Sequence, residues 1–447
     1  MTEVGSNRAL EVLAVDSRAG RERLALLDRR GRSDVAAGIR QAAGEIVDGV
    51  RRGGDAALLD AVRCFDGFEA SSAASLRLDS SPHPESVAVD PHVAEAIERA
   101  RAAIEAYHRA QPHGPGVLRL ERDGVAIEER RLAIRRVGIY VPGGRFPYPS
   151  TVLMTAVPAR LAGVEELVVA TPPQAYRGSP VLRHVLDLVG ADEVWGMGGA
   201  HGVAALAYGT ESVRPVDLIA GPGNAWVAAA KQLVSRDVGV DRDAGPSEVV
   251  IVATDGAPAS WVAADLLAQA EHDPLAVPVL VSDSRSLADR VASEVDRQLA
   301  GLLTRETAGT ALKAHGAAFV AVDLDGALAL AERLAPEHLQ LIGDAAEARA
   351  DEVRNAGALF VGAWSPVVFG DYVAGPSHVL PTGGSARFAS GLGVEDFVRR
   401  SHTVRFSAEA AADWAGAAET LANTEGLSAH AAAARLRRGS DDRETRR

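Results

Sequence analysis

One cysteine, Cys64, is the whole thiol content of the 447 residues, which excludes an intrachain disulfide, a CxxC metal knuckle and a redox dithiol. Any metal must therefore be held by His, Asp, Glu, Gln or Asn. Cys64 lies in DAALLDAVRCFDGF, where apolar residues recur at helical spacing, and is expected in the core rather than as a nucleophile. Positive charge is also short. The net charge of −13 argues against the basic face that nucleic acid or an anionic membrane requires. No run of about 18 apolar residues is present to span a bilayer. The opening MTEVGSNRALEVLAVDSRAGRERL lacks the basic-then-apolar order of a secretory signal. A soluble, cytoplasmic protein is expected. Walker, HExxH and GxSxG motifs are missing too, and with them the usual signatures of several other chemistries.

What is present supports a large packed core: 47% of residues are hydrophobic and 24% charged, far from the disordered regime. Residues 34–65 read as helix interrupted at Arg52-Gly53-Gly54, and a second helix is expected over 91–110. From about residue 132 short β-branched runs alternate with alanine-rich helical stretches. Strands are expected at 166–171, 216–221, 248–254, 276–283, 317–323 and 358–362. This alternation predicts the α/β class, with parallel sheets built from βαβ crossovers. Such sheets take ligands beyond the carboxyl ends of their strands, where VPGG, GMGGAHG and AGPGN fall. After about residue 383 the strand rhythm stops and an alanine-rich helical tail follows.

Several segments carry chemistry. GMGGAHGVAALAYG reads as strand, glycine turn and helix start, the arrangement that turns backbone N–H groups toward a pyrophosphate. Gln269 and His272, three residues apart near the end of a helix, project from one face and can converge on a metal. Glu337 and His338 follow Pro336 at the edge of a strand, an acid beside a base as proton transfer requires. Asp371 sits in a glycine- and proline-punctuated loop, and His430 in an otherwise apolar helical tail. Each feature by itself is more often an ordinary turn, cap or surface pair than a site.

In order, RVGIYVPGG, YPSTVLMTAVPARLAGVEELV, GPGNAWVAAAKQLV, AGPSE, AQAEHDPLA, PEHL, GDYVAGPSHVLPTGGSARF and EGLSAH resemble the histidinol dehydrogenase family over nearly the whole chain. The resemblance implies two incomplete Rossmann-like domains. One comprises residues 37–139 and 249–392 and holds the zinc and substrate groups; the other comprises 140–248 and binds NAD. Helical segments at 1–36 and 393–447 are expected to intertwine in a homodimer. Carried over by motif, zinc is held by Gln269, His272, Asp371 and the second subunit's counterpart of His430. The substrate is surrounded by Ser247, Gln269, His272, His338, Asp371, Glu425 and His430, and the dinucleotide by Tyr140, His201 and Asn224. The implied reaction oxidises L-histidinol to L-histidine with two NAD and one water. His338 is the expected base, with a pKa near the usual 6.5, roughly matched to neutral pH. Glu337 is expected to activate water, since Cys64 lies in no matching motif. Two positions depart from the family pattern. His201 and Gly202 stand where glutamine and alanine are usual, and Ser377 replaces an asparagine. They keep open a paralogue oxidising another polar alcohol, such as a sulfonated diol, and an inactive metal- or nucleotide-binding protein.

Overall fold

The computed structural model describes residues 8–30, 35–78, 89–111, 116–143, 147–241 and 245–438. The chain divides into two compact units, Met1–Pro112 with Ile134–Phe397, and His113–Ala133 with Val398–Arg447.

The larger unit contains two six-stranded sheets. In the first, the spatial order is Val12–Ala14, Ala317–Val320, Val277–Ser282, Glu248–Ala253, His338–Ile342 and Ala358–Val361, with every neighbouring pair parallel. The sequence EVVIVA has no polar alternation because both faces of its strand are covered. Val249, Ile251 and Ala253 pack against helices Ala259–Ala270, Arg285–Leu299 and Arg305–His315. Val250 and Val252 pack on the other face, against helices Arg18–Leu27 and Leu324–Leu334. Chain order reverses on either side of Glu248–Ala253, so the gap between it and His338–Ile342 is a topological switch point.

The second sheet runs Arg77–Leu78, Glu193–Gly196, Glu166–Thr171, Arg136–Tyr140, Leu218–Ala220 and Gly239–Val240. It is parallel except for its first pair. Its switch point lies between Arg136–Tyr140 and Leu218–Ala220.

Three placements differ from the sequence expectation. The resemblance places residues 37–139 in the layer of 249–392. Instead Ala43, Val47, Val50 and Leu58 of helix Val35–Ala61 lie in the core of the second sheet with Val168, Trp195 and Val227. That helix has one apolar face, and the alanine-lined helix Gly199–Tyr208 lets it approach closely. The N-terminal segment is not purely helical, because Val12–Ala14 supplies an edge strand to the first sheet. In the smaller unit Val398–Phe406 pairs antiparallel with Val125–Ala133, which also pairs with Gly116–Arg122. Helices Ala408–Thr424 and Ser428–Arg435 follow. The interruption expected in the long helix falls at Gly54, with φ 53° and ψ −137°.

Candidate active site

The groups expected to act on substrate gather at the amino edge of the first sheet, around its switch point. Helix Leu324–Leu334 ends on Ala335 in the left-handed region, φ 45°. Pro336 then turns the chain so that Glu337 and His338 enter the strand buried. The backbone of one residue orients both. The Glu248 N–H donates to Glu337 Oε2 at 2.8 Å, and the Glu248 carbonyl accepts from His338 Nδ1 at 2.9 Å. A carbonyl can only accept, so Nδ1 carries the hydrogen and the Nε2 lone pair is free. Nε2 lies 3.7 Å from Asp371 Oδ1. Burial pushes the His338 pKa down to about 4, below the 6.5 expected, so the ring is neutral. Burial pushes the Glu337 carboxyl well above its ordinary range, and the charges of Glu248 and Asp371 push the same way against the Glu248 N–H bond. Ser247, half-buried at the same edge, accepts from Val277 N through its carbonyl.

Helix Ala259–Ala270 runs back from the carboxyl edge and delivers Gln269, buried at its last turn, and His272 just beyond. Gln269 and Asp371 line one small cavity with Asp265, Ala268, Val367 and Val368. The Asp371 carboxyl is pushed up to about 7 by burial. Burial also lowers His272, whose charge in turn opposes protonation of His338 and His378. A carboxylate that burial destabilises and a carboxamide thus share one cavity, with the His272 imidazole three residues beyond Gln269, and side chains of these types suit zinc. Among the described residues no three His, Cys, Asp or Glu side chains form a metal cluster, and the expected set does not require one, since Gln269 and a second subunit complete it.

Sequence reading did not single out His378. Its Nδ1 donates to the Asp371 carbonyl at 2.9 Å, its Nε2 faces Thr151 Oγ1 at 3.4 Å, and burial holds its pKa down at about 4. The available signal was its place in GPSHVLP, directly after GDY. Ser377 accepts from Val379 N–H and donates to the Met154 carbonyl, both at 3.2 Å. Thr151 and Met154 belong to helix Pro149–Ala162, which starts from the carboxyl side of the second sheet. The amino edge of one sheet is thereby tied to the carboxyl edge of the other. Glu425 and His430 lie in the smaller unit, exposed, at the end of helix Ala408–Thr424 and in helix Ser428–Arg435.

At the carboxyl edge of the second sheet Tyr140 is buried and its hydroxyl accepts from Gly199 N–H at 2.9 Å. Asn224 is exposed and caps helix Ala225–Val234, accepting from Trp226 and Val227 N–H at 3.1 and 3.2 Å. The glycine turn does not turn its N–H groups outward as expected. Gly198 N–H donates to Asp66 Oδ2 at 2.9 Å, and the same oxygen lies 2.8 Å from His201 Nε2. A protein carboxylate thus occupies the amino end of helix Gly199–Tyr208, where a phosphate would otherwise sit. His201 is buried beneath Phe65. A Cβ at Gly202 would stand 2.8 Å from the Met197 carbonyl, so the usual alanine does not fit. Cys64, expected in the core, is exposed, on a π turn at Val62–Asp66 that widens the end of the helix.

A family model described as Histidinol dehydrogenase matches residues 29–438. The histidinol dehydrogenase of Moorella thermoacetica is 49% identical over 351 residues, covering 78% of this chain and 82% of that one. The enzyme of that name from Synechococcus sp. is 45% identical over 394 residues, covering 88% and 90%. The chain belongs to the histidinol dehydrogenase family. A crystal structure of histidinol dehydrogenase from Elizabethkingia anophelis has the same fold, with TM-score 0.85 and 29% identity over 97% of this chain and 98% of that one. As a member of the histidinol dehydrogenase family this chain is an oxidoreductase, which sets aside the inactive binding protein. No helix among the described residues is long and apolar enough to cross a membrane.

Proposed function

We propose that the chain oxidises L-histidinol through the aldehyde to L-histidine, using two NAD and one water, as a zinc-dependent homodimer. The observation that carries this is the shared Glu248 backbone, which leaves His338 Nε2 unprotonated and facing Asp371. His338 Nε2 takes the carbinol proton as hydride leaves the carbon for NAD. In the second half a water adds to the aldehyde and the hydrated carbon gives up a second hydride. Glu337 assists that water. Its Oε2 is held by Glu248, and the burial that raises its proton affinity makes the ionised form a stronger base.

Gln269, His272 and Asp371 of one subunit, with a second copy's His430, would hold the zinc, which would supply a Lewis-acidic anchor for the substrate. Ser247, His338 and the Glu425 of a second copy complete the substrate pocket, and Glu425 favours a cationic amino alcohol over a sulfonate. Tyr140 and Asn224 flank the NAD, while His201 acts on the glycine turn through Asp66. The test is purified protein with zinc, NAD and L-histidinol, followed by absorbance of the reduced cofactor. Two equivalents of reduced NAD per substrate are expected. Activity confined to another polar alcohol would assign the paralogue instead, and no activity on any alcohol would end the proposal.

A further inference from the structure

Glu248 is central to the site through its backbone, yet its side chain points elsewhere. Its carboxylate is buried, 3% exposed, and meets the Arg30 guanidinium in a two-point contact, Nε to Oε1 at 2.7 Å and Nη2 to Oε2 at 3.1 Å. Gly383 N–H donates to Oε1 at 2.9 Å. The same guanidinium donates to the carbonyls of Leu27, at 2.9 Å, and Leu334. Leu334 is the last residue before the Ala335-Pro336 turn that delivers Glu337 and His338. One cation therefore grips both the strand start whose backbone orients Glu337 and His338 and the turn that supplies those two groups.

The structure assigns to Arg30 the role of positioning residue for the Glu337–His338 pair, exercised through Glu248 and the Leu334 carbonyl. This rests on the proposed role of that pair. Arg30 reaches neither reacting group itself, and it arrives on the segment after helix Arg18–Leu27, fixed by Leu24 and Leu27 in the core of the first sheet. A buried ion pair contributes little net stability against an apolar replacement, so its effect here is geometric. The planar fork matters as well. Lysine supplies the charge but cannot address two carboxylate oxygens and two carbonyls in fixed directions.

The experiment compares Arg30→Met and Arg30→Lys in the full, zinc-loaded protein. Arg30→Met is expected to lower kcat for both oxidations by about tenfold or more, since misplacement on the order of 1 Å costs about a hundredfold. KM for L-histidinol and NAD and the zinc content should stay near the parent values, and Arg30→Lys should fall between. In a His338→Asn background Arg30→Met should lower kcat little further, because the group it positions is gone. An unchanged kcat, or the same fold-loss with and without His338, would overturn the inference. If Arg30→Met does not fold, the same cycle with Arg30→Lys decides it. Full activity of His338→Asn alone would instead overturn the reading of the pair, and this inference with it.

Discussion

At the scale of single residues, the deciding feature is that the proposed acid and base are controlled by a neighbour's backbone. His338→Asn keeps a donor for the Glu248 carbonyl but removes the Nε2 lone pair. We expect kcat for both oxidations to fall by about 10²–10⁴, measured as steady-state formation of reduced NAD. Glu337→Gln separates the halves. The first oxidation should proceed and the second slow by about 10²-fold or more, so that early turnover gives close to one reduced cofactor per substrate instead of two. Equal rates in both halves would remove Glu337 from water activation. Asp371→Asn takes away the one carboxylate of the expected zinc set that burial leaves uncompensated. Its zinc content by elemental analysis should drop well below the parent's while the fold persists by circular dichroism. The residues in these predictions were legible because short ordered motifs carry them. Glu248, Arg30 and His378 were not, because they act through contacts to residues 90, 218 and 227 positions distant. No local spacing encodes such contacts.

At the scale of elements, hydrophobic period and glycine punctuation were reliable guides where both faces of a strand are buried. Glu166–Thr171 and helix Pro91–Ala110 fall where their residues predict. Strands with an exposed or paired-out face were harder to see. Gly116–Arg122 is exposed throughout, and Val398–Phe406 is mostly charged and polar, so neither carries a buried-strand signature. Two stability predictions belong here. Gly54 adopts a backbone that side chains avoid, and a Cβ there would lie 2.3 Å from Glu211 Oε2, the oxygen that accepts from Asp55 N–H. Gly54→Ala should cost about 1–3 kcal/mol, read as a lowered Tm. Ile251→Ala, in the middle of a strand covered on both faces, should cost about 2–5 kcal/mol. The general rule that parallel sheets bind at their carboxyl ends agrees with the positions of Tyr140 and Asn224, the proposed dinucleotide residues, beside the second sheet. It fails for the first, whose candidate groups stand at the opposite edge because helices Ala259–Ala270 and Val367–Tyr372 carry them back.

At the scale of the whole molecule, the proposed borrowing of His430 from a second copy makes a complementation experiment available. Homodimers of Asp371→Asn and of His430→Asn should each be inactive. Mixed, dissociated and reassociated, they should recover about a quarter of parent activity, because random pairing makes half the dimers hybrid and each hybrid has one intact site of two. No recovery, or full activity in a protein that sediments as a monomer, would end the shared-site proposal. The segment from Ser377 to Gly383 adds a further consequence. It is fastened to Met154 and Thr151 on one side and to Gly245 and Glu248 on the other, so its length works as a gauge block between the edges of the two sheets that carry the proposed substrate and dinucleotide groups. An extra residue spliced into it would leave both sheets folded while opening that gap past reacting distance, an enzyme intact in every part and out of tolerance as a machine.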